Sequence, residues 1–362
     1  MKLRICFLFL VSTVFFQAGW SQSNYSAKKP KNIILLIGDG MGLSQISAGL
    51  YANGNYLNLE RFPFVGIHKS YSSDNLITDS AAGATAFSIG KKSYNGAIGV
   101  DQDTVPVKTI LEEAEGKGWA TGLVATSTIT HATPASFIAH VSSRNMQEAI
   151  AAQFLDTEID FFVGGGQDFF EKRKDDDRNI SQELRDKGYQ IMNIDEIPFE
   201  QISFDGIDKF GYFTASGSPE KLVDGRDYLI QAGNRAVEFL NKKSEKGFFL
   251  MIEGSQIDWG GHANESDYII SEMIEFDELI GDILDYAKQD GETLVIVTAD
   301  HETGGYSINP GSTFDTIIPG FTTTYHTGTM IPVFAFGPGS EHFGGIYENT
   351  AIYHKMKAAL GW

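Results

Sequence analysis

Short, almost uninterrupted apolar runs recur along this chain, separated by stretches with amphipathic, helix-like spacing. Ile33–Ile37, Ala120–Ala125, Phe161–Val163, Phe248–Ile252, Thr293–Thr298 and Pro332–Phe336 are too short for buried helices and lack the alternation of a strand with one wet face. Strands covered on both faces read this way, and such strands belong to parallel sheets. Between them the spacing predicts a helix from after Gly42 through Leu50. Others are predicted over Val107–Glu115, Met146–Phe154, Tyr228–Leu240, about Ser266–Ala287, and Asn349–Leu360. The alternation predicts an α/β fold, a predominantly parallel sheet flanked by helices on both faces. Two stretches break the rhythm. Residues 167–225 are more polar, with the charged cluster Lys172–Arg178, and read as a surface excursion. Residues 303–325 mix Gly, Pro, Ser and Thr with little periodicity and read as a long loop or small lid.

The N-terminus is of another kind. Lys2 and Arg4 precede the apolar run Ile5–Phe16, and the small residues Ala18, Gly19 and Ser21 follow. This is the three-part pattern of a secretory signal peptide, too short to span a membrane, with cleavage expected after Ser21. The expected destination is periplasmic or secreted. Cys6, the only cysteine, would leave with the leader, so residues 22–362 carry no disulfide and no thiol chemistry. They read as a single domain. The formal charge is −19, and losing Lys2 and Arg4 makes it more negative still. That balance argues against nucleic acid and anionic membrane as partners. An anionic substrate would need local positive charge, which bound divalent cations and a few arginines could supply.

Several predicted strands end in residues able to bind a metal. Asp39 follows the first, within Gly38-Asp39-Gly40-Met41-Gly42; Glu253 caps Phe248–Ile252; Asp300-His301 follow Thr293–Thr298. Ligands of open α/β sheets bind beyond the carboxyl ends of the strands, so the metal site is expected there. Any one of these acids alone is more simply a turn or helix cap. Asp258 and His262 are four apart and would share one side of a helical turn. His326 sits in a Thr/Gly-rich loop. Mixed nitrogen and oxygen ligands of this kind suit zinc, and an all-oxygen set suits magnesium. Thr78-Asp79-Ser80-Ala81-Ala82-Gly83 adds a serine at a predicted helix N-terminus, where free N–H groups favour an anion. Asp79 or Ser80 as an ordinary N-cap is the plainer reading of that stretch taken alone.

Together these motifs, with His131-Ala-Thr133-Pro-Ala and His326-Thr-Gly, resemble the alkaline phosphatases over most of the sequence from Asn32 onward. The resemblance implies a single catalytic domain over residues 22–362, with variable excursions at about 167–225 and 303–325. It implies hydrolysis of small phosphate monoesters, with Ser80 as the nucleophile that becomes transiently phosphorylated. Asp258, His262 and His326 would hold one zinc, on the leaving-group side, and Asp39, Asp300 and His301 a second, next to Ser80. Asp39 would bridge to a third site with Thr133 and Glu253, occupied by magnesium in the family, and Arg144 would clamp phosphate. A homodimer is also implied. Two positions depart from part of the family. His131 stands where some members carry aspartate, and its imidazole, a softer ligand, could favour zinc over magnesium at the third site or hydrogen-bond through a water; Trp259 stands where others carry lysine or histidine. His68, His140, His342 and His354 match no ligand role. A phosphodiesterase of the same metal-hydrolase group remains an alternative, as does a phosphate-binding protein without catalysis. A sulfatase is disfavoured by the lack of a mature cysteine and of a Cys/Ser-x-Pro-x-Arg element.

Overall fold

Strand β1 (Asn32–Gly38) is buried along its whole length, and its side chains divide between two cores. Ile33, Leu35 and Ile37 enter one hydrophobic cluster, Ile34 and Leu36 the other. With neither face wet, both sets of positions must be apolar, which is why the sequence runs without alternation. The computed structural model describes residues 28–314 and 316–362. The leader expected over residues 1–21, Cys6 included, lies outside the described residues.

The other strands follow in chain order. They are β2 (Phe64–Lys69), β3 (Ala120–Thr128), β4 (Phe161–Gly165), β5 (Tyr189–Asn193), β6 (Lys209–Phe213), β7 (Phe248–Gly254) and β8 (Thr293–Thr298). Four two-residue strands come next: β9 (Glu302–Thr303), β10 (Ser307–Ile308), β11 (Pro319–Gly320) and β12 (His326–Thr327). The last are β13 (Ile331–Phe336) and β14 (Gly345–Glu348). Ten of them form one sheet in the order β14-β2-β13-β8-β1-β7-β3-β4-β6-β5. All pairings in it are parallel except those of β13, which runs antiparallel to β8 and β2.

Helices cover both faces. One core is closed by α2 (Ser80–Ile89), α3 (Ile110–Gly116), α4 (Ala132–Ile138), α5 (Gln147–Gln153), α6 (Gln167–Glu171), α7 (Ile180–Asp186) and α11 (Ala351–Leu360). The other is closed by α1 (Leu43–Ala52), α8 (Leu229–Lys243), α9 (Gln256–Ala263) and the long α10 (Ser266–Asp290). The predicted helix over Val107–Glu115 starts later, at Ile110, because Thr109 caps it: its side chain accepts from the Glu112 N–H while Glu112 reaches back to the Thr109 N–H.

Residues 167–225 differ most from expectation. They carry β5 and β6, which extend the sheet at one edge. β5 alternates buried and partly exposed positions, as an edge strand does, so it gives no continuous apolar run. At the opposite edge β14 has no buried position, and β2 beside it mixes buried and exposed ones, so the hydrophobic pattern marks neither. The 303–325 stretch is organised by the two small ribbons β10–β11 and β12–β9.

Arg226 is buried between Glu272 and Glu275 of α10, its Nη2 lying 2.7 Å from Glu275 Oε2. Glu272 also accepts from the Leu222 N–H at 2.9 Å, so the trio fastens residues 222–226 to α10. Burial pushes Glu275 up to about 7 even with the arginine present. Removing Arg226 leaves two buried glutamates whose folded pKa values lie above their unfolded ones. Such groups contribute stability below the ordinary glutamate range that is lost as pH rises through the raised value. Arg226→Ala is therefore expected to cost about 3–5 kcal/mol at pH 8 and clearly less at pH 5.5. Urea unfolding at the two pH values checks this, and an equal loss at both would contradict it.

Candidate metal centre

The parallel register of three central strands brings the ligand-type residues to one edge. β8, β1 and β7 are adjacent, with Ile37 paired to Thr298 on one side and to Glu253 on the other. Their carboxyl ends therefore deliver Asp300, Asp39 and Glu253 side by side. Gly40, at φ +72°, turns the chain away after Asp39, and a Cβ there would lie 2.7 Å from Asp258 Cα. Only glycine fits that approach. β3 lies beyond β7 and leads to His131 and Thr133 at the start of α4. From the other side β12 brings His326 to Asp258 and His262 on α9.

Three groups of side chains result, each with ligand atoms within 4.8 Å of one another: Asp258, His262 and His326; Asp39, Asp300 and His301; Asp39, His131 and Glu253. Every histidine, aspartate and glutamate expected from the sequence as a ligand falls in one of them, and Thr133, at the start of α4, is buried. Thr133 Oγ1 is buried without a hydrogen-bond partner, as is Glu253 Oε1. Ser80 is buried as the first residue of α2, its Oγ 3.3 Å from His301 Nε2. The cap of that helix is Asp79: Oδ1 accepts from the Ala82 N–H at 3.0 Å, and Oδ2 accepts from Arg144 Nη1 at 3.1 Å. Arg144 Nη2 in turn donates to His131 Nε2 at 3.2 Å. The run of small residues in α2 also has a steric reason, since a Cβ at Gly83 would meet Asp300 Cβ at 2.9 Å.

The electrostatics are unfavourable without cations. Burial, and then repulsion from Asp300, Asp258 and Glu253, pushes Asp39 well above the ordinary carboxylate range. Burial, joined by the charge of Asp258, raises Asp300 to about 7, and burial raises Glu253 to about 7. Arg144 opposes these shifts at Asp39 and Glu253. Burial also lowers His131, to about 3, and together with His326 drives His301 well below its usual value.

The hydrogen bonds fix which imidazole nitrogen is bare. His262 Nδ1 lies 2.7 Å from the Thr324 carbonyl and His326 Nδ1 2.8 Å from the Thr78 carbonyl. A carbonyl only accepts, so each Nδ1 carries the proton and each Nε2 a lone pair. Those two Nε2 atoms are 3.1 Å apart. Thr303 donates its hydroxyl proton to Asp258, so at 3.2 Å it accepts from His301 Nδ1. His301 Nε2 then turns its lone pair toward Asp300 Oδ2 at 3.3 Å and Asp39 Oδ1 at 3.4 Å. Lone pairs facing lone pairs and carboxylates, with Asp39 Oδ1 and Oδ2 and Asp300 Oδ2 lacking any donor, are what bound cations would satisfy. The residues fit metal ions.

The sequence reading missed Thr303 and Glu302. Glu302 is buried and accepts from Gln45 Nε2 at 2.8 Å, the Tyr306 N–H at 3.0 Å and the Thr327 hydroxyl, tying β9 to β12. Their place directly after Asp300-His301 was the only signal. Of the histidines without a ligand role, His68 is buried against the Ala299 carbonyl at 2.9 Å, and His140 bridges Gly99 and Glu112.

Known proteins share this architecture. The family profile described as alkaline phosphatase matches residues 30–318. Alkaline phosphatase 3 of Bacillus subtilis is 36% identical, over 91% of this chain and 89% of that protein. The chain belongs to the alkaline phosphatase family. The Escherichia coli K12 alkaline phosphatase is 32% identical, over 95% of this chain and 89% of its own length. The structure of the alkaline phosphatase from the Antarctic bacterium TAB5 superposes with a TM-score of 0.87 at 47% identity, covering 92% of this chain and 99% of that one. Like them, the protein is an alkaline phosphatase in fold and activity, a metal-dependent phosphomonoesterase with three ligand clusters of the two-zinc, one-magnesium type and a buried serine beside them.

Raised carboxylate pKa values make the metal-free protein least stable where those groups ionise. Their contribution is present below the ordinary carboxylate range and lost as pH rises through about 7. The chelated protein is expected to melt lower at pH 8 than at pH 5.5, by on the order of 5 °C. Zinc should raise Tm more at pH 8 than at pH 5.5. Calorimetry of chelated and zinc-loaded protein measures both, and a metal-free Tm that rose with pH would contradict the account.

Proposed function

We propose that hydrolysis of phosphate monoesters runs through Ser80, in two displacements at phosphorus. Ser80 Oγ bonds to phosphorus as the ester oxygen leaves with a proton as the alcohol; water then cleaves the phosphoserine, releasing inorganic phosphate. Asp258, His262 and His326 would hold one zinc on the leaving-group side, and Asp39, Asp300 and His301 a second beside Ser80. Zinc supplies Lewis acidity there, lowering the pKa of a bound hydroxyl and neutralising charge on the entering and leaving oxygens. Asp39, Thr133, Glu253 and His131 would form the third site.

The observation that carries the reading is the placement of Ser80: first residue of a helix, buried, and 3.3 Å from a histidine of a ligand triad. The free N–H groups of that helix end favour the phosphoryl oxygens. Arg144 is held between Asp79 and His131, one bond to each terminal nitrogen, and each nitrogen keeps a second N–H for phosphate. Asp79 thus does two things, capping the nucleophile's helix and orienting the guanidinium.

For the third site, two variants of the TAB5 enzyme, with a histidine replaced by aspartate or by glutamate, are described with magnesium bound in the M3 site. In this chain the imidazole of His131 brings no charge to the third triad, and an aspartate there would add an oxygen ligand suited to magnesium. His131→Asp should raise the magnesium response. We further propose that residues 22–362 form one catalytic domain, exported after cleavage of the leader and paired as a homodimer. No helix among the described residues is long and apolar enough to cross a membrane.

Ser80→Ala is expected to retain its metals yet lose monoester turnover by orders of magnitude, with a small residue from water attacking directly. Metal analysis beside steady-state rates tests this, and wild-type turnover in the variant would reduce Ser80 to a helix residue. Arg144→Ala should weaken monoester hydrolysis far more than diester hydrolysis, since only the monoester presents a dianion to the fork. The differential is expected at roughly 1.5–3 kcal/mol per charge-assisted bond lost. Equal losses would mean that the arginine shapes the fold, and a wild-type preference for diesters would move the chain to the phosphodiesterase reading.

A further inference from the structure

Tyr325 immediately precedes His326, yet nothing in the proposed chemistry uses it. Its ring lies 4.5 Å from the His326 ring with only 5° between their planes, and His326 in turn stacks on His301 at 3.5 Å and 16°. The imidazole is thus sandwiched between His301 inside and Tyr325 outside. Tyr325 also stands 6.0 Å from the His262 ring, so it touches both histidines of the same triad. Despite these contacts 50% of it remains exposed. A half-covered aromatic ring beside a buried polar cluster is a large apolar surface left in water at the mouth of the site.

A second apolar side chain stands close by. Leu76 is 75% exposed, four residues before Ser80, and lies against Gly328 of the same loop as His326. The Thr78 carbonyl accepts from His326 Nδ1 and joins the two segments. Two exposed apolar side chains, Tyr325 and Leu76, thus stand beside this triad among uncharged threonines, while the charge nearby comes from Asp79 and Asp258. Arg144, the cation acting on the carboxylate cluster, is bound to Asp79 and His131 and faces the phosphate.

We infer that the exposed ring of Tyr325 is a specificity surface that favours aromatic leaving groups, packing against the aryl ring of an aryl phosphate monoester as it departs beside His262 and His326. The inference rests on the reading of Asp258, His262 and His326 as the leaving-group side. Ring-on-ring packing needs the aromatic face and not the phenol oxygen, for which no hydrogen bond among the described side chains is assigned. A small polyol leaving group, such as that of glycerol phosphate, gains nothing from the ring.

The test uses the zinc- and magnesium-loaded protein and two inert probes, phenylphosphonate and methylphosphonate, as competitive inhibitors. Tyr325→Phe should keep the wild-type ratio of the two inhibition constants. Tyr325→Leu, which still covers His326 but has no ring, should weaken phenylphosphonate about three- to tenfold relative to methylphosphonate. The ratio of kcat/KM for phenyl phosphate over glycerol phosphate should fall by a similar factor in Tyr325→Leu and not in Tyr325→Phe. Comparing each variant with wild type cancels the difference in leaving-group chemistry between the two substrates. Equal weakening of both inhibitors in Tyr325→Leu would overturn the inference and leave Tyr325 as a cover for His326. So would a Phe variant that behaves like Leu. Wild-type protein inactive on both esters would instead overturn the reading of the triad, and the inference with it.

Discussion

Four carboxylates, Asp39, Glu253, Asp258 and Asp300, are gathered at the carboxyl edge of the sheet where almost no water reaches them. Removing even one carboxylate from water costs several kcal/mol unless it is paired, and here the main protein counter-charge is one guanidinium held at the margin. The arrangement survives because Asp39, Glu253 and Asp300 are lifted toward protonation, or because cations replace those protons. Metal binding and proton release are therefore two sides of one constraint. The same constraint explains the packing around it: α2 is built of small residues so that it can approach Asp300, and Gly40 yields space to Asp258.

Around the ligands a second set of groups does work that no metal-ligand pattern reveals. The Thr78 and Thr324 carbonyls and the Thr303 hydroxyl each take an Nδ1 proton, so three imidazoles present Nε2 inward. Glu302 is a carboxylate of the opposite character, buried but fully supplied with donors from Gln45, Tyr306 and Thr327. Satisfied, it acts as a strut that joins the loop bearing His301 to the strand bearing His326. The neighbouring ligand carboxylates are left short of donors, and they are the ones with chemistry to do.

Asp79 and Arg144 connect this centre to substrate recognition. A phosphate dianion entering a carboxylate-rich site needs positive charge from metals, from a helix end and from a guanidinium together. One side chain, Asp79, sets the last two by capping α2 and anchoring Arg144. His131 holds the other nitrogen of Arg144 while standing in the third triad, so phosphate reading and the third site are physically joined.

The continuous apolar runs by themselves determined the central parallel strands, and the acidic residues directly after them marked the reactive edge, because both signals are local. Ser80 at a helix start and the four-residue step from Asp258 to His262 were legible for the same reason. Tertiary structure decided the rest. β5 and β14 are edge strands and β2 lies one strand in from β14, all with partly wet faces, so their sequences carry no continuous run, and only pairing with neighbours defines them. Register decided that Asp39, Glu253 and Asp300 meet, since a parallel ladder aligns strand ends that are hundreds of residues apart in sequence. The tautomers of the histidines, the strut at Glu302 and the stack that leaves Tyr325 half exposed depend on atoms from segments far apart in sequence. No spacing rule within one segment can supply them.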